Sequence, residues 1–503
     1  MTEVKGKKNR VDKAMYDTII YNISVYNGTG GKPFIADIGI KGKFIAAIGT
    51  LDKKANSLID GSGLAISPGF IDIHTHDEYA AIQNPDMSFK IMQGVTSSIV
   101  GNCGFSVAPY KTAMKDSIIS RDDDIVQWDG HKGYLQYLTD NPTSINIGLL
   151  AGHNTFHSAV VGNDKRNQPA GNDIMKMQSY LREGLEAGAV GLSAGLFYIP
   201  GCYSRTEEII SLLKICINTN AVFTIHMRNE DDDLINAIKE AVRIAEESEV
   251  AMEISHFKAC GKKNWGKADE ALGLIHNAVA GGLNITVDQY PYSSGSTSLK
   301  EIARSGAFAG KGMDLHYSQA IISSSKIYPD SLGMDIESIA EKYKITPKKA
   351  LNNLIETDDP VATFLNTMGE EDIRKIMSDP LTIIASDGIP VKGNPHPRLY
   401  GTFPRSLSYY ARDEKVLTME TAIHKMTEKP AKKFNLKCRG LIKENNYADL
   451  VIFDKNKIAA EPDYHNSRQY PKGIIDVFVN GTRVVKNGKH TSARAGQILL
   501  RED

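Results

Sequence analysis

The sequence lacks the features that mark secreted, membrane-bound and nucleic-acid-binding proteins. Its first ten residues are polar and hold no apolar run of the signal-peptide kind. No apolar run approaches the ~18 residues that a membrane-spanning helix needs. The formal net charge is -1, so no charge excess favours nucleic acid or an anionic membrane surface. We expect a cytoplasmic protein that acts on a small molecule and binds neither nucleic acid nor membrane; the sequence predicts no oligomeric state.

Cysteine is also scarce. The chain has five cysteines in 503 residues, an odd and scattered set that argues against a disulfide framework. Four of them are interpreted as ordinary interior or surface residues. Cys103 differs, because it follows directly on a predicted strand and is therefore free for other chemistry.

The composition is that of a globular protein, with 41% hydrophobic and 24% charged residues. Residues 1–14 are basic and are predicted to be disordered. Short β-like runs separated by turns fill residues 15–67, and β character returns in residues 440–503. We therefore predict a small β-sandwich-like domain formed from both chain ends.

Residues 68–439 have a different rhythm, in which buried β-branched strands alternate with amphipathic helices. This alternation predicts an α/β fold with a parallel sheet. About eight such strands in one domain predict a (β/α)8 TIM-like barrel, whose reactive residues lie at the C-terminal strand ends. The segment at about 293–375 is too long for a simple crossover and is interpreted as an inserted lid over the site.

The densest chemical signal is His74-x-His76, at the end of an apolar run that leaves the Pro68-Gly69 turn. In a strand, residues i and i+2 point to the same side, so both imidazoles can face one point beyond the strand end. Two neutral imidazoles at this spacing suit a zinc-like cation, although two ordinary surface histidines would give the same pattern.

Four more candidate ligands or proton carriers occupy strand-end positions, namely Cys103, His226, His256 and Asp387. One histidine at a strand end is usually structural, but five metal-type ligands at the active face of one barrel are hard to explain in that way. A thiolate can bridge two cations or hold one tightly. Asp387 is free to act as proton carrier, as ligand, or both. The set predicts a metal centre that hydrolyses an amide or similar C–N bond.

Other polar residues lie where they could hold an anionic substrate: Lys258, Arg398, Tyr198, Tyr290 and Ser296. From the sequence alone, each could equally be a surface residue or an ion-pair partner. His153 and His396 are assigned to support or orientation.

Several motifs resemble those of known enzymes. Residues 68–77 resemble the first-strand signature of the amidohydrolase superfamily. One branch of it, the N-acyl-D-amino-acid deacylases or D-aminoacylases, is similar in the remaining motifs: residues 101–106, 152–155, 191–201, 254–258, 386–388 and 396–405. The resemblance covers nearly the whole chain beyond residue 15.

This resemblance implies zinc-dependent hydrolysis of N-acyl-D-amino acids to a carboxylate and a D-amino acid. One zinc would be tightly held by Cys103, His226 and His256. A second, weaker site would use His74, His76 and the same cysteine. Asp387 would be the catalytic residue. The substrate carboxylate would be held by residues elsewhere on the same face, with Tyr198 lining the site: Lys258, Tyr290, Ser296 and Arg398.

Two other functions are compatible with the same fold. A cyclic-amide hydrolase of the hydantoinase or dihydroorotase kind would need a carboxylated lysine between two metals, but residues 188–196 on the fourth strand contain no lysine. A non-catalytic scaffold would be expected to have lost metal-type histidines, and none of the expected positions has lost its histidine.

Overall fold

The computed structural model describes residues 15–116, 125–357 and 360–502. The disorder predicted for residues 1–14 lies outside these ranges. Within them, no helix is both long and apolar enough to cross a bilayer. The cytoplasmic location stays a prediction.

The strands are given in chain order: β1 (Tyr16–Val25), β2 (Phe34–Lys41), β3 (Phe44–Gly49), β4 (Ala55–Asp60), β5 (Ala65–Pro68), β6 (Phe70–Asp72), β7 (Val95–Val100), β8 (Asn146–Gly152), β9 (Gly191–Gly195), β10 (Val222–His226), β11 (Ala251–Ile254), β12 (Ile285–Gln289), β13 (Gly295–Ser298), β14 (Ala320–Ile322), β15 (Val361–Phe364), β16 (Thr382–Ile384), β17 (Leu450–Phe453), β18 (Ile474–Val479), β19 (Thr482–Lys486), β20 (Lys489–His490) and β21 (Ile498–Leu499).

The α-helices are given in the same way: α1 (Ala80–Gln83), α2 (Ser88–Ile91), α3 (Tyr110–Asp116), α4 (Gly130–Asp140), α5 (His153–Val160), α6 (Gly171–Ala187), α7 (Thr206–Leu213), α8 (Leu234–Ser248), α9 (Ala268–Ala280), α10 (Leu299–Ser305), α11 (Ile336–Lys342), α12 (Pro347–Thr357), α13 (Glu370–Ser378), α14 (Arg398–Arg405), α15 (Met419–Met426) and α16 (Glu428–Lys433). A π-helical stretch, Ser406–Asp413, continues directly from α14.

The predicted barrel is confirmed. Eight parallel strands follow the order β6-β7-β8-β9-β10-β11-β12-β16. Strands such as β7 and β8 are buried at every residue, as expected of a sheet covered on one face by helices and filled on the other. The barrel closes just past the strand ends, where the Asp387 N–H donates to the His74 carbonyl at 2.8 Å. The His76 N–H donates to the Gly388 carbonyl at 2.9 Å in the same closure.

Both chain ends form a second, mixed sheet of nine strands, with the order β20-β19-β18-β17-β5-β1-β2-β3 and with β4 paired to β1. The two ends of the chain meet where β5 and β17 pair in antiparallel fashion. The last strand, β21, does not join this sheet and pairs in parallel with β8 of the barrel.

The segment between β12 and β16 folds around a small core of its own. Its strands form the antiparallel sheet β13-β15-β14, and α10, α11 and α12 pack their apolar residues against one another and this sheet. The length of this segment, which no simple crossover needs, is therefore explained by a subdomain inserted between the last two barrel strands.

Two buried lysines lie at the N-terminal end of the barrel. The Lys433 ammonium donates to the backbone and side-chain oxygens of Asn284, both at 3.0 Å, and Lys425 donates to the carbonyls of Asp379 and Thr382. Burial lowers the pKa of Lys433 to about 7, with Glu253 opposing and Lys429 assisting the change. Burial, with the nearby charge of Lys429, likewise lowers the pKa of Lys425 to about 7.

The lowered pKa of Lys433 predicts that the stability of the protein depends on pH. Its pKa is about 7 in the folded chain, whereas an unfolded lysine titrates near ~10.4 and so binds more protons between these values. The free energy of unfolding should therefore rise from pH 7 to pH 9, and Lys433→Met should flatten that rise by up to about 1.4 kcal/mol per pH unit. Denaturant titrations at pH 7, 8 and 9 measure the slope. The neighbouring exposed Lys432, changed to Met, is the control, and equal slopes in both variants would contradict the prediction.

Candidate active site

The six residues predicted to carry the chemistry lie at one end of the barrel. Each one ends a parallel strand or follows a strand within a few residues, so all of them reach the C-terminal face: His74 and His76 after β6, Cys103 after β7, His226 ending β10, His256 after β11 and Asp387 after β16. All six side chains are buried. The barrel topology therefore brings together residues that are up to about 300 positions apart in the sequence.

Cys103 lies at the centre of this group. Its Sγ is 3.4 Å from His74 Nε2, 3.7 Å from His226 Nδ1 and 3.8 Å from His256 Nε2. In a tetrahedral zinc site with Zn–S near 2.3 Å and Zn–N near 2.0–2.1 Å, sulfur and nitrogen ligands are about 3.6 Å apart. The distances and the thiolate–imidazole donor set both fit zinc.

Two overlapping sets of ligands share this cysteine. In each, the candidate ligand atoms lie within 4.8 Å of one another: Cys103 with His226 and His256, and Cys103 with His74 and His76. Asp387 borders the second set, because its Oδ1 is 3.5 Å from His74 Nε2 and 3.6 Å from His76 Nε2. The two sets correspond to those that the motif resemblance implies.

The backbone is strained at three of these six positions. Cys103, His256 and Asp387 have φ angles of 54°, 34° and 48°. A non-glycine residue in this region costs on the order of 1–3 kcal/mol, and such residues concentrate at functional sites. Next to Cys103, a Cβ on Gly104 would lie 1.9 Å from Asn154 Oδ1, so only glycine fits there. The fold therefore holds these three residues in an unfavourable backbone conformation, which sets the direction of their side chains.

The electrostatic surroundings of Cys103 and Asp387 favour the anionic form of each side chain. Burial raises the pKa of the Cys103 thiol, but His74 and the hydrogen bonds with His226 and His256 outweigh burial and hold the pKa well below its usual value. Burial also raises the pKa of Asp387, and the charge of Arg398, with that of His74, reverses this and holds the pKa below its usual value. A thiolate is the form of cysteine that binds metals.

Two acidic residues that the sequence analysis did not assign hold the histidines in place. Asp288, at the end of β12, has Oδ2 at 2.8 Å from His74 Nδ1 and accepts the His256 N–H at 2.8 Å. Glu230, in the loop after β10, has Oε1 at 2.7 Å from His256 Nδ1 and 2.8 Å from Lys258 Nζ. The strand-end position of Asp288 was a usable signal, whereas no motif marks Glu230.

Lys90 is a third residue missing from the sequence analysis. It is fully buried, and its Nζ donates to Asp72 at 2.5 Å, Thr75 at 2.8 Å and Ser386 at 2.9 Å. These hydrogen bonds connect the end of β6, which the histidine pair follows, to the end of β16, which Asp387 follows.

A cavity opens onto the metal-type residues. Its lining includes every residue predicted to hold the substrate, namely Lys258, Arg398, Tyr198, Tyr290 and Ser296. The structure thus places all five beside His226, His256 and Asp387.

Arg398 is the most informative of these residues. Its Nη2 donates to the Ser296 carbonyl at 2.9 Å, and its guanidinium lies 4.5 Å from the centre of the Tyr290 ring. Nη1 is 2.9 Å from Asp387 Oδ2, but its direction does not make a hydrogen bond. Nε and Nη1 of Arg398 and the Tyr290 hydroxyl are all buried without a hydrogen-bond partner. Unsatisfied buried donors are costly, so this group is suited to receive an anion.

The two histidines assigned to support have clear partners. His396 Nδ1 accepts the Arg398 N–H at 3.0 Å, and Nε2 donates to the Ser294 carbonyl at 3.0 Å, which positions the helix that carries Arg398. His153 Nε2 lies 2.8 Å from Glu208 Oε1, and His157 Nδ1 lies 2.7 Å from the same oxygen. Nitrogen and oxygen ligands of one zinc would be about 3.4 Å apart, so the distances in this second cluster are those of hydrogen bonds.

The contacts of Glu230 predict that removing its charge weakens zinc binding. Glu230→Gln keeps the shape of the side chain and removes the charge that holds His256 and Lys258. Loss of such a supporting contact lowers metal affinity by about 10–100-fold. Competition with a zinc chelator measures the change. The control is Glu240→Gln on α8, which removes the charge that pairs with Arg228 and accepts from Thr206 but contacts none of the six candidate residues. A similar affinity in both variants would contradict the role of Glu230.

Known proteins are similar to this chain over nearly its whole length. The sequence profile of the Amidohydrolase family matches residues 57–254 and 356–490. A D-aminoacylase of Alcaligenes xylosoxydans xylosoxydans is 34% identical over 498 residues, which is 97% of this chain and 99% of that protein. An N-acyl-D-aspartate deacylase and an N-acyl-D-glutamate deacylase of the same organism are each 33% identical, over 97% of this chain and 96% and 97% of their own lengths.

Solved structures are similar over the same span. A D-aminoacylase structure that concerns a binuclear metal centre has a TM-score of 0.87 at 35% identity, over 97% of this chain and 100% of that one. N-acyl-D-glutamate deacylase of Bordetella bronchiseptica, complexed with zinc and a phosphonate inhibitor, has a TM-score of 0.87 at 30% identity, over 96% and 99%. A D-hydantoinase from Thermus sp. has a TM-score of 0.60 at 16% identity, over 96% and 99%, and shares the fold alone.

Proposed function

The chain belongs to the amidohydrolase family, and we propose that it is a zinc-dependent N-acyl-D-amino-acid deacylase. It hydrolyses the amide bond of an N-acyl-D-amino acid and releases a carboxylate and a D-amino acid. The observation that carries this proposal is the position of Asp387 between the His74–His76 pair and the Arg398 guanidinium. An acid at the metal ligands and an anion-binding arginine thus share one cavity.

We assign the metal to the residues around the shared cysteine. One tightly held zinc would use Cys103, His226 and His256, and a second, weaker site would use His74, His76 and Cys103. The binuclear centre named for the similar D-aminoacylase supports this assignment. When bound, zinc supplies a Lewis acid that polarises the scissile carbonyl and lowers the pKa of water.

The protein's own residues bind the substrate and move the proton. Arg398, Tyr290, Lys258 and Ser296 would hold the α-carboxylate, and Tyr198, whose hydroxyl is 2.9 Å from Thr297 Oγ1, would line the acyl side. Asp387 accepts a proton from the attacking water as the oxygen adds to the amide carbon. It then delivers this proton to the leaving nitrogen, the C–N bond breaks, and the D-amino acid is released.

The alternatives are less well supported. Residues 188–196 contain no lysine that could be carboxylated, so a cyclic-amide hydrolase with that ligand does not fit this site. A non-catalytic scaffold would not explain why Arg398 has a buried donor without a hydrogen-bond partner or why the Cys103 backbone is strained. It would also not explain why Glu230 and Asp288 contact the metal-type histidines.

The assignment of Asp387 as the proton carrier predicts that Asp387→Asn loses activity. Asp387→Asn cannot take the proton, so kcat on N-acetyl-D-methionine should fall by at least about 100-fold. Zinc content should stay near that of the unchanged protein. Steady-state kinetics with the D- and L-enantiomers, together with zinc analysis, measure both quantities, and only the D-enantiomer should react.

The control for this variant is Asp413→Asn, which removes a surface carboxylate paired with Arg412 and should leave kcat unchanged. Full activity in the Asp387→Asn protein would refute the assignment.

A further inference from the structure

The residues that line the cavity indicate which substrate side chain the site accepts. Sequence identity does not decide this. Relatives that act on D-aspartate and D-glutamate derivatives are as similar to this chain as the D-aminoacylase, at 33% against 34% identity. The choice among these substrates therefore rests on the charges inside the cavity. This inference depends on the proposed function and refines it.

The positive charge in the cavity suffices for one carboxylate. Among the described residues that line the cavity, Lys258 and Arg398 are the only lysine and arginine. Lys258 Nζ already donates to Glu230 Oε1 at 2.8 Å and to the His256 carbonyl at 3.0 Å, so it can share the α-carboxylate with Arg398 but offers no unpaired charge to a second anion. Arg398 is ion-paired with Asp387 through Nη1 at 2.9 Å, whereas its Nε and the Tyr290 hydroxyl beside it have no hydrogen-bond partner. These donors can satisfy one carboxylate.

The position of those donors identifies which carboxylate they take. Arg398 Nη1 is 2.9 Å from Asp387 Oδ2, so an anion on Arg398 lies next to the catalytic centre. In an N-acyl amino acid, the α-carboxylate is two bonds from the amide nitrogen, whereas a side-chain carboxylate is farther away. The α-carboxylate therefore occupies this group of donors, and no arginine or lysine of the described lining remains for a second anion.

The rest of the lining disfavours a negative side chain. The inserted subdomain contributes Ile302, Met313 and Phe364, and the loop after β9 contributes Phe197. Two further carboxylates also border the cavity: Glu230, which is paired with Lys258, and Asp231. An acidic side chain would lose its water, meet like charges and find no partner, whereas an apolar side chain would gain contacts and lose unfavourable exposure to water.

We propose that the enzyme selects N-acyl-D-amino acids with an uncharged, apolar side chain, which lies against the wall formed by Ile302, Met313, Phe364 and Phe197. The selectivity comes as much from the absence of a second cation in this lining as from the apolar contacts. Rejection by unpaired charge is a common way to discriminate between similar ligands.

The test compares kcat/KM for four substrates on the zinc-loaded protein: N-acetyl-D-methionine, N-acetyl-D-phenylalanine, N-acetyl-D-glutamate and N-acetyl-D-aspartate. We expect the first two to exceed the last two by at least about 100-fold, because the unpaired acid is rejected through its buried charge. Equal or higher values for either acidic substrate would overturn the inference and leave the deacylase function standing. No turnover of any of the four would instead overturn the proposed function, and this inference with it.

A charge-adding variant tests the physical cause. Met313→Lys adds a cation to the cavity wall, and the adjoining Gly312 lies against the Asp231 carboxylate, since a Cβ there would be 2.2 Å from Asp231 Oδ2. The lysine would therefore neutralise that acid and offer a donor to a side-chain carboxylate. The ratio of kcat/KM for N-acetyl-D-methionine to that for N-acetyl-D-glutamate should fall by at least about 10-fold.

The matched control is Met334→Lys, which places the same charge in the same subdomain, on a half-buried methionine outside the cavity lining. Its ratio should equal that of the unchanged protein. Met313→Leu, which keeps the wall apolar, should also retain the preference and shows that position 313 tolerates change. An unchanged ratio in Met313→Lys, with the protein folded and active on N-acetyl-D-methionine, would overturn the electrostatic explanation.

Discussion

The site depends on the closure of the barrel between its first and last strands. Hydrogen bonds from Asp387 and His76 cross to the opposite strand end at 2.8 and 2.9 Å, and Lys90 bonds to residues from both sides beneath them. This closure fixes the catalytic candidate against the histidine pair. Because a buried lysine that lost its partners would be strongly unfavourable, the closure and its polar contacts stabilise each other.

Around this closure, the structure holds its metal-type residues through buried acids. Asp288 contacts both His74 and the His256 backbone, and Glu230 connects His256 to Lys258. The same Glu230 thus contacts a metal-type histidine and balances a residue of the substrate cavity. Carboxylates of this kind orient ligands and set which ring nitrogen faces the metal.

The inserted subdomain explains how a common barrel can acquire selectivity. The ends of the barrel strands supply the residues that we propose to be reactive, while the insertion, with its separate small core, supplies part of the cavity wall. Because its core is largely independent, side chains on the wall can change without disturbing the strand ends. Charge placed on or withheld from this wall would therefore change the substrate selectivity of this protein without changing the residues at the strand ends.

The sequence by itself determined the barrel, the family and the position of the candidate ligands at strand ends, because strand periodicity and the His74-x-His76 spacing are local features that neighbouring residues specify. Only the tertiary structure decided which polar residues support them. Glu230, Asp288 and Lys90 act through partners far away in the chain, and no local pattern encodes such contacts. The pairing of Lys258 with Glu230, and that of Arg398 with Asp387, likewise follow from distances that exist only once the strands have closed into a barrel.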